Sequence, residues 1–143
     1  MNFLINPYRF INNLEFIITV GQEGVESVTT RKYDFSGNEI TVGWPVSSGN
    51  SARGVAVDSN NNIITGGGLI GNLTTRKYDS DGNLIWSRNH GAQVFGVAVD
   101  GNNNIITGGS VVGNLTTRKY DSDGTLLWSV NHNQTVFGIA VSK

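Results

Sequence analysis

Residues 74–87 read Thr-Thr-Arg-Lys-Tyr-Asp-Ser-Asp-Gly-Asn-Leu-Ile-Trp-Ser, and this pattern returns in two other parts of the chain. Its opening hexapeptide, Thr-Thr-Arg-Lys-Tyr-Asp, starts at Thr29, Thr74 and Thr116. A tryptophan follows each copy, at Trp44, Trp86 and Trp128, and then a Gly-(Val/Ile)-Ala-Val segment, at Gly54, Gly96 and Gly138. Successive tryptophans are 42 residues apart. A period of this size is typical of stacked or radial structural repeats rather than of one irregular core.

The bulk composition excludes several classes of protein. The chain has 143 residues, a net charge of −1 and no cysteine. Its length suits one domain. The near-zero charge argues against a nucleic-acid or anionic-membrane partner, and the lack of cysteine excludes disulfides and thiolate metal sites. No apolar run approaches the roughly 20 residues that cross a bilayer, and the N-terminus lacks the apolar core of a signal peptide.

The second repeat predicts four short strands separated by turns. The apolar and β-branched runs lie at 54–58, 62–66, 73–79 and 84–87, and strands favour such residues. The breaks between them, 58–61 and 79–83, are rich in Asp, Asn and Gly, which suit hairpin turns. No window shows a 3.6-residue apolar period. We therefore predict an all-β fold.

Four antiparallel strands in about 42 residues form one blade of a β-propeller. In chain order the strands read b-c-d, a-b-c-d, a-b-c-d and a, so we predict three four-stranded blades with the last strand offset. The predicted organisation is an arm over 1–13, units over about 14–53, 54–95 and 96–137, and a closing strand over 138–143. Rings typically have four to eight blades. A homodimer with six blades is the expected solution, and an open arc capped by another protein is the alternative.

The chain resembles two groups of known proteins. The segment from Gly54 to Gly67, followed by Arg-Lys-Tyr-Asp-Ser-Asp-Gly-Asn-Leu-Ile-Trp-Ser, looks like the bacterial β-propeller repeats of the SBBP type and, more distantly, NHL-type blades. That likeness covers residues 15–143. The resemblance implies six or seven blades in one chain, and the three blades predicted here differ from that number. It implies no single activity.

A short N-terminal segment resembles sequences near the ends of tailed-phage virion proteins. It comprises Asn6, Pro7, Tyr8, Arg9 and Phe10 together with Leu4 and Ile5. The resemblance implies an attachment arm and a location in the virion, or in the bacterial cytoplasm during assembly. The alternative is an edge strand or arm that simply covers the propeller.

The polar motifs favour structural roles over catalysis or metal binding. Asp-Ser-Asp-Gly at 79–82 resembles the start of a calcium loop, but the distal Glu of such a loop is missing, so a hairpin turn is expected. His90 and His132 occupy equivalent loops without a nearby carboxylate or second His. No nucleophile elbow, phosphate loop or metal-binding helix motif occurs. We expect no enzyme activity, no metal and no cofactor.

The repeated Arg, Tyr and Trp residues are expected to pack between blades, with the Arg stem along the next blade and its head paired to Asp or a carbonyl. Exposed tryptophans would instead predict a multivalent lectin. Ligand binding is expected in the loops where copies differ: Arg53, Arg88, Asn89, His90, Gln93, Asn131, His132 and Gln134. The predicted subunit interface comprises Phe16, Ile17, Ile18, Gly138, Ile139, Ala140 and Val141. The expected function is a non-catalytic structural or interaction propeller of a phage virion, whose partners are a second copy, other virion proteins or a surface glycan.

Overall fold

The structure, a computed structural model, describes residues 15–23, 27–47, 51–68, 75–89, 93–110 and 117–142. These residues form eleven strands and no helix, which confirms the predicted all-β class. The strands are β1 (Ile17–Glu23), β2 (Ser27–Tyr33), β3 (Val46–Ser47), β4 (Ala52–Val57), β5 (Ile63–Gly67), β6 (Thr75–Tyr78), β7 (Leu84–Arg88), β8 (Gln93–Val99), β9 (Ile105–Ser110), β10 (Thr117–Tyr120) and β11 (Leu126–Val130).

The strands form three antiparallel sheets, each made from one continuous part of the chain. Sheet 1 has the order β1-β2-β3, sheet 2 the order β4-β5-β6-β7, and sheet 3 the order β8-β9-β10-β11. Every neighbour in a sheet is also the next strand along the chain, so short hairpins suffice to connect them. The four strands predicted between residues 54 and 87 are confirmed, with boundaries that move by up to two residues.

One type of turn closes most of these hairpins. In the β6–β7 turn, Asp79 Oδ1 accepts hydrogen bonds from the backbone N–H groups of Asp81 (2.9 Å) and Asn83 (2.8 Å). The Asn83 side chain donates to Asp79 Oδ2 at 2.9 Å. The same arrangement, from an aspartate to the residues two and four positions later, recurs at Asp34, Asp58, Asp100 and Asp121. The repeated aspartates therefore fix turns, as predicted.

The sheets stack face to face through two apolar clusters. Sheets 1 and 2 meet at Trp44, Ile63 and Tyr78, and sheets 2 and 3 meet at Ile64, Trp86, Ile105 and Tyr120. Ile63 and Ile64 are adjacent in β5, so their side chains point to opposite faces and each fills one cluster. Sheet 2 is consequently covered on both faces, whereas among the described residues no other sheet packs on the outer face of sheet 1 or of sheet 3; these two are called the open faces.

The spacing between sheets is smallest at their first strands. A Cβ built on Gly54 of β4 would lie 2.8 Å from the carbonyl oxygen of Phe95 in β8. A Cβ on Gly66 would overlap the side chains of Val94 and Val97. Glycine is therefore required where neighbouring sheets approach closely, while the large Trp side chains separate the sheets at their last strands.

The C-terminal segment differs from its prediction, because residues 135–142 form no strand. It nevertheless lies over sheet 3: the Val136 N–H donates to the Gly109 carbonyl at 3.0 Å. A Cβ on Gly108 would meet Val136 and Ile139, as one on Gly66 would meet Val94 and Val97. The segment therefore occupies the place of the next sheet's first strand. A ladder needs a partner on each strand, and the described residues supply none for Gly138–Val141.

Candidate interaction surfaces

Tryptophan side chains link each sheet to the next. Trp44 Nε1 donates to the carbonyl oxygen of Ser80 at 3.1 Å, and Trp86 Nε1 donates to that of Ser122 at the same distance. Both residues are buried, with 3% and 9% of their surface exposed. Packing was the favoured prediction for these residues and is confirmed for both. They offer no face to a sugar.

Lysine side chains reinforce the same contacts. Lys32 Nζ donates to the Ser80 carbonyl at 2.8 Å, and Lys77 Nζ donates to the Ser122 carbonyl at 3.1 Å. Lys77 also pairs with Asp58 at 2.9 Å, and both side chains are almost fully buried. Burial alone would raise the pKa of Asp58, but hydrogen bonds from Asn62 and Lys77 outweigh it and hold that pKa below its ordinary value.

The sequence prediction assigned these cross-sheet contacts to the repeated arginines, and the structure gives them to the lysines. Arg31 instead forms an ion pair with Glu39 at 2.8 Å within sheet 1. Period-2 alternation places Arg76 on the opposite face of β6 from Lys77. Because only the Lys face points to the following sheet, the lysine reaches its turn.

Arg88, a predicted ligand contact, also connects two sheets. Its Nε and Nη2 donate to the carbonyls of Gly124 (2.7 Å) and Asp123 (3.3 Å), and Nη1 donates to Ser87 at 2.9 Å. Its guanidinium lies 5.3 Å from the centre of the Trp86 ring. Its donors are thus engaged within the fold.

The open faces of sheets 1 and 3 carry unused copies of these contact groups. Trp128, equivalent to Trp44 and Trp86, is 45% exposed, and Ile17, equivalent to the fully buried Ile63, is 43% exposed. Of the predicted interface residues, Phe16 and Ile18 face inward against sheet 2. Ile17 and the segment 138–141 remain at the ends of the stack.

A row of side chains on β4, β8 and the C-terminal segment forms a second surface. Ala52 pairs with Gly67 and Gly54 with Gly66, so Arg53 is the extra residue of a β-bulge. Phe95 is the equivalent extra residue in β8. The Arg53 guanidinium lies 4.8 Å from the Phe95 ring centre, and the Phe95 and Phe137 rings are 5.3 Å apart at a tilt of 47°.

The other predicted ligand-binding residues surround this row or lie apart from it. Gln93 Oε1 accepts a hydrogen bond from Arg53 Nη1 at 3.0 Å. His132 Nε2 is 2.9 Å from Thr117 Oγ1, and Asn131 Oδ1 accepts from the Asn133 N–H at 2.8 Å. Asn89 and Gln134 are exposed. His90 and the arm residues Asn6, Pro7, Tyr8, Arg9 and Phe10 lie outside the described residues.

The described residues contain no group of three or more His, Asp or Glu side chains placed to hold a metal ion. In the same ranges no helix has the length and apolar character needed to cross a membrane.

Comparison with known proteins gives a structural match alone. No family model matches the chain, and neither does any curated protein. Among solved structures, a protein of unknown function from Bacteroides caccae superposes with a TM-score of 0.56 at 14% sequence identity. The match covers 87% of this chain and 49% of the other, so this chain spans about half the length of that protein. Similarity at this identity indicates a shared fold.

Sequence reasoning missed Phe95 and Phe137. Both stand immediately before a repeated Gly-(Val/Ile)-Ala-Val segment, where the first copy has Arg53. The sequence feature that could have identified them is the change of residue type at this fixed position of the repeat. The glycine pairs 66–67 and 108–109 on the neighbouring strands are a further indication, because glycine in a strand often marks a bulge.

Proposed function

We propose that the three sheets are blades of a β-propeller and that two copies join end to end into a six-bladed ring acting as a non-catalytic interaction module. The observation that carries this proposal is the match between the two open faces. Sheet 3 presents Trp128 and Lys119, and sheet 1 presents Ile17 and the turn after Asp34. These groups are equivalent to those that join sheet 1 to sheet 2 and sheet 2 to sheet 3.

The contacts between sheets have a direction, which favours head-to-tail assembly. Each described cross-sheet side-chain donor to a turn carbonyl belongs to the earlier sheet and each acceptor to the later one. In the turn of sheet 1, Phe35 occupies the position that Ser80 and Ser122 have in the turns of sheets 2 and 3. In the ring, Trp128 and Lys119 of one copy donate to the Phe35 carbonyl of the second copy. Two sheet 3 faces placed together would instead oppose donor to donor.

The spacing of the sheets supports a radial arrangement. The first strands β4 and β8 approach so closely that Gly54 leaves no ordinary room for a Cβ, and Gly96 is packed tightly against residues 137–139, whereas Trp44 and Trp86 fill the space nearer the last strands. Sheets that are close along one edge and separated along the other fan out around an axis. Six such sheets lie within the four to eight of typical propellers.

Strand exchange completes the ring. In sheets 2 and 3 the strands β5 and β9 pair on one side with β4 and β8. Their equivalent, β1, pairs only with β2 among the described strands. In the proposed ring, the Gly138–Val141 segment of one copy becomes the first strand of sheet 1 in the other. This pairing satisfies an edge that would otherwise favour aggregation.

The direct test is the native mass by light scattering. A ring gives about twice 15.4 kDa, and a monomer at micromolar concentration would defeat the proposal. Trp128→Glu and Ile17→Glu should each lower the mass toward one chain. Leu84→Glu is the matched control, because Leu84 is 54% exposed but lies on the middle sheet; its mass should stay that of the dimer.

Mixing the two interface variants tests the direction of assembly. A mixed ring of the Trp128→Glu and Ile17→Glu chains keeps one interface unaltered on both sides, so association should partly return. If the copies joined sheet 3 to sheet 3, Ile17→Glu would leave the dimer intact. Acrylamide quenching adds a local measure, since Trp128 fluorescence should become shielded as dimers form.

The virion role forms the wider part of the proposal, and it depends on the arm rather than on the sheets. Deleting residues 1–11 should release the protein from phage particles, while the shortened chains should still form dimers. Unchanged incorporation into the particles would count against the attachment role of the arm. The lectin alternative in its tryptophan form is disfavoured by the burial of Trp44 and Trp86.

A further inference from the structure

We infer that Arg53, Phe95 and Phe137 form a binding site for small carboxylates that carry a ring beside the carboxylate. Arg53 of sheet 2, Phe95 of sheet 3 and Phe137 of the C-terminal segment stand at the same phase of the repeat, and the bulges at Arg53 and Phe95 interrupt otherwise regular ladders. Bulges commonly re-aim a side chain toward a functional site. Here they place the Arg53 guanidinium beside the Phe95 ring, and the Phe137 ring packs against Phe95 from the C-terminal segment.

The row has the chemistry of a recognition surface rather than of a core. Phe137 is 71% exposed, and Arg53 is exposed as well. Tilted aromatic rings at this distance offer flat apolar faces to a ring-shaped ligand. By contrast, Trp44, Trp86 and Lys77, which also touch a neighbouring sheet, are buried.

The charge of Arg53 determines the sign of the ligand. Among the described residues, Lys77 pairs with the carboxylate of Asp58 and Lys119 with that of Asp100. Arg53, in contrast, contacts only the Gln93 amide oxygen and the Phe95 ring in this part of the chain. A guanidinium has five N–H donors in a planar fork that matches a carboxylate. Further donors are therefore available to an anion held against the rings.

The number of sites per assembly rests on the proposed ring. Around its axis the row continues from Phe137 of one copy to the second copy's Arg53, so each phenylalanine pair is flanked by two guanidinium groups. Two equivalent sites per ring follow. The site itself lies within a single chain, so its existence can be tested separately from the ring.

Isothermal titration calorimetry of the full chain tests the inference. The probes are glucuronic acid and benzoic acid, with glucose and benzyl alcohol as neutral rings and acetate as a carboxylate without a ring. We expect at least one ring acid to bind about tenfold more tightly than its neutral counterpart and than acetate. Glucuronic acid alone would assign acidic sugars, and benzoic acid alone would assign aromatic acids. Equal binding of charged and neutral rings would overturn the inference.

Variants locate the binding. Arg53→Gln should weaken it about tenfold or more, Arg53→Lys less, because charge remains while the fork is lost, and Phe95→Leu should weaken it through the ring. Arg31→Gln removes a cation that pairs with Glu39 and should leave binding unchanged. Binding that persists in Arg53→Gln would refute the site.

Light scattering on the same samples separates the two proposals. A dimer that binds none of the acids defeats the site and leaves the ring standing. A monomer that binds them defeats the ring and leaves the site standing. Circular dichroism confirms that each exposed-site variant keeps the wild-type fold.

Discussion

Replacing Lys77 by methionine should be among the most destabilising changes of a charged residue in this chain. The substitution keeps an apolar stem but removes the ammonium that pairs with Asp58 at 2.9 Å; the two side chains are 5% and 0% exposed. It also removes the bond to the Ser122 carbonyl at 3.1 Å. Breaking a buried pair by deleting one partner costs about 3–5 kcal/mol, since the other charge is left uncompensated.

Three turn hydrogen bonds to Asp58 survive the substitution, from the N–H groups of Asn60 and Asn62 and from the Asn62 side chain. We therefore expect the lower end, about 3 kcal/mol, measured by urea denaturation at pH 7. Asp58→Asn combined with Lys77→Met should cost less than the sum of the single changes by about 1 kcal/mol or more. A loss below about 1 kcal/mol for Lys77→Met, or strict additivity, would refute this reasoning.

Lys119→Met is the matched control and also reports on assembly. Lys119 pairs with Asp100 at 2.7 Å, but the two side chains are 24% and 14% exposed, and nothing in the described chain covers that face as sheet 3 covers Lys77. In a dilute monomer the substitution should cost about 1 kcal/mol. At concentrations where the ring forms, the cost should rise toward that of Lys77→Met. A cost independent of concentration across the measured dimerisation range would contradict ring closure.

Three further outcomes are expected. Gly67→Ala should unfold the chain or lower its melting temperature by many degrees, because the new Cβ would overlap the backbone just before β4, whereas Gly101→Ala, with nothing within 4 Å, should change it little. Trp86→Phe should cost about 1 kcal/mol or more in denaturation, since the ring shrinks and the Ser122 carbonyl loses its indole donor; an unchanged midpoint would contradict the contact. The hydrogen bond from Lys119 holds the pKa of Asp100 well below its ordinary value. The ionised Asp100 therefore stabilises the fold fully above about pH 4, and this stabilisation is lost as pH falls through the lower pKa of the folded state. Asp100→Asn should flatten the dependence of the melting temperature on pH between pH 4 and pH 2, and an unaltered dependence would exclude this contribution.

The sequence predicted the strands and turns because their causes are local. The consecutive β-branched residues Ile63, Ile64 and Thr65 and the Asp-x-x-x-Asn spacing of the turns act within a few residues of one another. Each hairpin connects strands that are consecutive in the chain, so no long-range choice of partner was needed. The repeat then extended a correct local assignment to all three sheets.

The parts that sequence reasoning missed depend on tertiary contacts. Gly138–Val141 has the same residue pattern as β4 and β8 but forms no ladder, because strand formation requires a neighbour that the described chain lacks. The exchange of roles between Arg76 and Lys77 depends on which face of β6 meets sheet 3. The alternation of side chains along a strand separates the two faces but does not show which face packs against the following sheet. The bulges at Arg53 and Phe95 are likewise set by the close approach of the first strands.

The use of main-chain acceptors between sheets has a consequence for how such a protein can change in length over evolution. The Trp and Lys donors bind a turn carbonyl, whose position is set by an aspartate and a glycine rather than by the side chain of the residue that carries it; the acceptors are the backbone oxygens of Ser80 and Ser122. A tandem duplication of one 42-residue unit therefore adds a sheet whose two faces already match its neighbours. Gene duplication can lengthen such a chain, and unit loss can shorten it, without inventing a new contact.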